Sequence, residues 1–281
     1  MREYDLAFSL GFACACSQSL RDNGLQTASF PFDWTVTTGL GASVEMLAND
    51  FDGWFERTDL KLWDVRISGG YVSRVYRDVR HGFVFAHDFT NAEPIETHYA
   101  AAKARYDRRA KRLQERIGAS KRVLAVYVGH PAEARIPDAE LVAARRRLAD
   151  RFPGVQIDLL YFFEDPDCRT TESSDPAEGV RVVRMDYRTY CEGVVMHVCN
   201  VEPIRAYLRE HVSVPDGRTD AERRAFAAAR RRARLLRYGK TRLGSLVNRK
   251  LHRLFCNIEQ YLVAQRLLPG DRPLRVDGCG L

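Results

Sequence analysis

The sequence predicts an α/β protein whose mostly parallel sheet is flanked by helices, with a β-hairpin insertion and a basic helical C-terminal segment. Three observations lead there. Residues 122–128 contain Val-Leu-Ala-Val-Tyr-Val, and residues 155–163 and 180–185 are similarly apolar; such unbroken runs mark strands buried on both faces. Helical patterns fall between them, over residues 95–117 and 138–150. The connections are short, and alternating strands and helices with short links favour parallel strands covered on both sides.

Taken in order, residues 4–10 read as a buried strand ending at Gly11. A helix over residues 14–23 follows, with Gly24 placed where helices end in a left-handed residue. Ser29-Phe30-Pro31-Phe32-Asp33-Trp34 is aromatic and irregular, because Pro31 interrupts regular structure. Residues 40–49 form a short helix with Val44 and Leu47 on one face. Residues 64–77 make a hairpin around Ser68-Gly69-Gly70. The strand 82–86 runs directly into His87-Asp88. Pro153-Gly154 stops the helix 138–150, and an acidic, polar loop is expected over residues 164–178.

The chain has 281 residues, 45% of them hydrophobic and 29% charged, enough to build a core without disulfide staples. No run approaches the length of a membrane-spanning helix, and no charged-then-apolar leader opens the sequence. A cytoplasmic protein is therefore expected. Seven cysteines (14, 16, 168, 191, 199, 256 and 279) are odd in number and scattered, which favours free thiols over a disulfide framework. Lys and Arg number 44 against 37 acidic residues. The excess is concentrated in residues 218–253, where 13 Lys and Arg meet only Asp220 and Glu222. Two domains are accordingly drawn: an α/β domain over residues 1–215 and a basic helical extension or cap over 216–281.

Candidate chemistry centres on Ser9-Leu10-Gly11-Phe12-Ala13-Cys14-Ala15-Cys16. Here a strand ends at a glycine and a cysteine arrives where a helix begins. The unpaired N–H groups and dipole of a helix N-terminus lower a thiol pKa and can hold an oxyanion. The residues alone leave open a second reading, in which Cys14 is a small buried hydrophobe. Cys-X-Cys is not a zinc or redox spacing, so neither metal nor cofactor is expected. A reactive thiol needs a base, usually histidine, oriented by a third polar group. Of the seven histidines, His87 is best placed, where a strand runs out beside Asp88; His130, after Val128-Gly129, comes second. His197 lies in an apolar setting, and His81, His98, His211 and His252 read as solvated. Asp33 could orient a base or cap a turn.

Several of these residues carry a resemblance. Ser9-Leu10-Gly11 followed by Cys14, then Leu20-Arg21, Gly24-Leu25, Ser29-Phe30-Pro31-Phe32-Asp33-Trp34 and His87-Asp88-Phe89 resemble the bacterial "putative papain-like cysteine peptidase" family, a domain-of-unknown-function group. The likeness is concentrated in residues 4–90. It implies thiol hydrolysis or acyl transfer on a peptide or acyl substrate, with Cys14 as nucleophile and His87 as base. Asp88 or Asp33 would orient the imidazole.

Two other functions fit parts of the chain. The turn at residues 10–13 could cradle the phosphates of a nucleotide sugar before a helix N-terminus, as in a transferase of surface polysaccharide synthesis. The full glycine-rich phosphate signatures are missing, however. The arginine-rich segment 218–253 could contact a polyanion or an anionic membrane surface. Its arginines alternate with alanines rather than aromatics, so base stacking has little support and specific nucleic-acid binding is not expected.

Overall fold

The computed structural model describes residues 1–215 apart from 27, 38, 69–70, 87, 90–93, 131–132, 191–196 and 200, with 66–68, 71–73, 188–190, 197–199 and 201 described by backbone alone. The basic segment 216–281 and its expected partners therefore lie outside the described residues, as does the turn at Gly69-Gly70. The chain divides into two units. One comprises Met1–Trp63, Val75–Phe89 and Glu93–Val214; the other comprises Asp64–Arg74, Thr90–Ala92 and Pro215–Leu281. No helix among the described residues is long and apolar enough to cross a membrane.

The first half of the chain contains β1 (Arg2–Glu3), β2 (Leu6–Gly11), α1 (Ala13–Asp22), a 3-10 turn (Pro31–Trp34), β3 (Thr35–Val36), α2 (Leu40–Ala48), β4 (Leu60–Ser68), β5 (Tyr71–Asp78), β6 (Val84–Phe85) and α3 (Ile95–Gly118). There follow β7 (Arg122–Val128), α4 (Asp138–Arg151), β8 (Gln156–Glu164), β9 (Glu172–Ala177), β10 (Val180–Met185), β11 (Arg188–Tyr190), β12 (His197–Cys199), α5 (Val201–His211) and β13 (Val212–Ser213).

The central sheet has the order β2-β7-β8-β10-β9. Its first four strands are mutually parallel, and β9 closes the edge antiparallel to β10. Side chains alternate across it as a two-residue period requires. Leu6, Phe8 and Leu10 of β2, with Val123, Ala125 and Tyr127 of β7, enter a core shared with α2, α3 and α4. Ala7, Leu124, Val126 and Val128 enter the opposite core, with Cys16 and Leu20 of α1 and Ile204 and Leu208 of α5. The sheet is thus covered on both faces, the arrangement read from its unbroken apolar runs.

Two expectations are corrected. Residues 172–177 are not loop but strand: Glu-Ser-Ser-Asp-Pro-Ala is polar because β9 is an exposed edge, held by pairing with β10 through the tight turn at Gly179 (φ +74°). Pro31 does not merely interrupt structure; it opens the 3-10 turn, where its fixed φ and missing N–H cost nothing. The strand expected over 82–86 contracts to β6, which joins β3, β5 and β4 in a second, four-stranded sheet of order β3-β6-β5-β4. Below it Trp54 is fully buried, its ring edge-on to Phe83 (4.6 Å) and Phe85 (5.6 Å).

At the opening of the central sheet the Tyr4 hydroxyl donates to Asp158 Oδ2 (2.9 Å), which also accepts from Arg122 Nη2 (2.7 Å). Burial, then the Asp158 carboxylate, pushes Tyr4 up to about 12. A tyrosine raised in the fold contributes its stabilisation in full below the unfolded value near 10, and loses it as pH climbs through the folded value. Urea midpoints should therefore fall between pH 10 and 12, by on the order of 1 kcal/mol from this residue, and Tyr4→Phe should flatten that decline. An unchanged pH profile in Tyr4→Phe would contradict this account.

Candidate functional site

The candidate site forms where β2 gives way to α1. Ser9 is fully buried, and its Oγ accepts from the Gly11 N–H (3.1 Å). The register with β7 slips between Ser9 and Gly11, a bulge that re-aims the departing chain. Gly11 has φ +114°, and a Cβ there would lie 2.9 Å from both Oγ1 and Cγ2 of Thr37. Position 11 thus needs glycine twice over, for its backbone and for its neighbour. The Phe12 N–H then donates to the Val128 carbonyl at the end of β7 (2.8 Å). Ala13 follows at φ +50° and begins α1. A non-glycine residue held there is strained by of order 1–3 kcal/mol.

This places Cys14 at the second residue of α1, beyond the carboxyl end of β2. In sheets of parallel strands, ligands bind outside that end. The thiol is half-buried. The expected lowering by the helix terminus is not what dominates: burial pushes the Cys14 thiol above the ordinary cysteine range, and its own backbone N–H acts in the opposite sense. Among the described residues no side chain caps the start of α1, so an oxyanion could meet its first-turn N–H groups directly. Cys16 lies inside the α1–α5 core, its sulfur 3.3 Å from the Val126 carbonyl. No cluster among the described residues could hold a metal ion.

Asp33 takes the turn-capping part of the role weighed for it. Its carboxylate is fully buried. Oδ2 accepts from the Phe30 N–H (2.8 Å), Gln26 Nε2 (2.7 Å) and Arg21 Nη2. Burial raises this carboxyl, and the Arg21 guanidinium, the Phe30 N–H and Gln26 pull it back down. Arg21 also lies over the Trp34 ring, 5.0 Å from its centroid. Between the two motifs, Ser17 Oγ sits within hydrogen-bonding distance of the Cys14 carbonyl (3.2 Å) and the Asp33 carbonyl (2.9 Å). The structure therefore joins the cysteine helix to Pro31-Phe32-Asp33-Trp34 through Ser17 and Arg21. The sequence reading assigned neither residue a role, although both follow Cys14 at the three- and seven-residue spacing of one helix face.

Asp88 is held elsewhere. Its Oδ1 accepts from Arg105 Nη2 (2.7 Å) and its Oδ2 from the buried Tyr106 hydroxyl (2.7 Å), which ties the end of the β6 segment to α3. His87, the expected base, lies outside the described residues. His130 comes to the Cys14 turn: its ring meets the Phe12 ring edge-on, with centroids 4.6 Å apart. The His130 N–H donates to Glu133 Oε2 (2.9 Å), which also receives the Tyr127 hydroxyl (3.2 Å). His81, read as solvated, pairs through Nδ1 with Asp78 Oδ2 (2.9 Å) and closes the turn between β5 and β6.

Comparison with known proteins now bears on this geometry. Residues 5–143 match the family described as "Putative papain-like cysteine peptidase". The matched segment is just under half of the chain. The matched segment includes both motifs joined above and His87-Asp88. A curated relative, "Uncharacterized protein R408" of Acanthamoeba polyphaga mimivirus, is 29% identical over 135 residues, covering 43% of this chain. The chain spans 60% of that relative's length. No solved structure matches.

Two outcomes follow for the family segment. Gly11→Ala should cost about 1–3 kcal/mol, from strain at positive φ and the approach to Thr37, seen as a lower urea midpoint with unchanged slope; wild-type stability would refute the steric argument. Arg21→Met should cost about 3 kcal/mol or more, because it leaves the Asp33 carboxylate buried without its cation. Adding Asp33→Asn to Arg21→Met should recover part of that loss, and strict additivity of the two single losses would show that the pair is not coupled.

Proposed function

We propose that the chain is a thiol hydrolase or acyltransferase of the cysteine-peptidase kind, with Cys14 as nucleophile and His87 as base. The observation that carries this reading is Cys14 in the first turn of α1, beyond the carboxyl end of a parallel strand, within a segment that matches the peptidase family. In the reaction, His87 takes the Cys14 proton and the sulfur attacks a substrate carbonyl, forming a C–S bond. The carbonyl electrons move onto oxygen, where the uncapped N–H groups of α1 can receive them. Collapse of the intermediate expels an amine or alkoxide that takes the proton back from the imidazolium. Water or a second acceptor then releases the acyl group from sulfur.

Within this mechanism Asp88 acts by holding the segment that bears His87, through Arg105 and Tyr106, and Asp33 acts by fixing the Pro31–Trp34 turn against α1. Burial makes Cys14 by itself a poor thiolate at neutral pH, so the reading requires the base. Alkylation of Cys14 followed by peptide mass spectrometry should therefore persist below the ordinary thiol range in wild type, and shift to higher pH in His87→Ala. Cys14→Ser should abolish any turnover found with acyl or peptide libraries, by roughly 10³-fold or more. A Cys14 that titrates above the ordinary thiol value with or without His87 would sink the proposal.

A further inference from the structure

A row of guanidinium groups extends from the candidate site along α3. Arg105, Arg109 and Arg112 follow one another at four- and three-residue spacing, which places them on one face of that helix. The two ends of the row are tied down. Arg105 pairs with Asp88, and Arg112 Nη1 donates to the Ser29 carbonyl (3.1 Å). Arg21 of α1 reaches the same residue, donating through Nη2 to Ser29 Oγ (3.0 Å). Arg109 lies between, with its guanidinium 5.2 Å from the centroid of the Tyr106 ring, and Tyr106 in turn donates to Asp88.

Charge along this row does not balance. Asp33 answers Arg21 and Asp88 answers Arg105. Among the described residues, neither Arg109 nor Arg112 meets a carboxylate. Arg109 Nη1 is buried and, among the described residues, has no hydrogen-bond partner. A buried guanidinium nitrogen without an acceptor is unfavourable, so the site is short of an acceptor. Seven residues at 1.5 Å rise put Arg21 about 10 Å along α1 from Cys14.

We infer that Arg109 and Arg112, beside Ser29, form an oxyanion-binding subsite that accepts a carboxylate or phosphate group of the substrate attacked by Cys14. Guanidinium forks suit either group. This deepens the reading of Cys14 as nucleophile and rests on it for the word substrate, whereas binding of the anion itself does not require the thiol to react.

The test has two arms. In the first, Cys14 is labelled with 6-maleimidohexanoic acid and with its neutral methyl amide at low ionic strength, and the two rates are compared. The acid should react roughly threefold to tenfold faster, an advantage that falls with added salt. Arg109→Met and Arg112→Met should remove the advantage while leaving the rate of the neutral amide unchanged, and Arg109→Lys should keep part of it. In the second arm, inorganic phosphate should raise the melting temperature of the wild-type chain and of Cys14→Ser, but not of the Arg109→Met/Arg112→Met double variant. An inert Cys14 together with a phosphate shift would remove the nucleophile reading and keep the anion site. Equal rates for acid and amide, with no phosphate shift that depends on Arg109, would overturn the subsite. If only the maleimide pair discriminates, the group accepted is a carboxylate; a phosphate shift with equal maleimide rates makes it a phosphate.

Discussion

One carboxylate, that of Asp33, gathers hydrogen-bond donors from three directions and has no access to water. Arg21 comes from α1, Gln26 from the connection behind it, and the Phe30 N–H from the start of the turn that Asp33 itself helps to form. A buried charge without partners is not tolerated, so each group has to arrive for any to be stable. The position of α1 over the Pro31–Trp34 turn follows from that requirement. Cys14 is carried on the same helix, and Ser17 adds a link to each side. The geometry of the candidate site is thus set by a residue that need not touch a substrate.

The central sheet was legible in the sequence because its strands are buried on both faces and therefore read as unbroken apolar runs. The boundaries of β7 and β10 follow directly from those runs, and α3 and α4 fill the intervals. What was not legible is local. β9 carries Glu172, Ser173, Ser174 and Asp175; as an exposed edge strand it has no apolar face to betray it, and only pairing with β10 makes it a strand. The short strands β1, β11, β12 and β13 span two or three residues each, too few to show a period.

At the site, the glycine turn and the cysteine could be placed by position alone, since a strand end, a glycine and a helix start are visible in the order of residues. Electrostatics could not. The terminus of α1 suggests a lowered thiol, but the extent of burial around Cys14 depends on tertiary packing and outweighs it. Asp33 and Asp88 each look free beside an aromatic residue in the sequence, and their partners Arg21, Arg105 and Tyr106 lie 12 or more residues away. His130 stands 118 positions beyond the Phe12 ring it meets. Such pairings become visible only once the strands are laid side by side.

The central sheet ends at β2, and an outermost strand ordinarily carries charges that discourage other strands from joining it. Leu-Ala-Phe-Ser-Leu-Gly carries none, yet all six residues are buried. The Pro31–Trp34 turn packs against this strand, and Phe30 and Phe32 share one core with its Leu6, Phe8 and Leu10. The aromatic motif beside the cysteine is therefore also part of this strand's cover. Damage to the Asp33 network would uncover an apolar template for intermolecular pairing, and its first symptom in a cell would be loss of solubility, ahead of any change in chemistry.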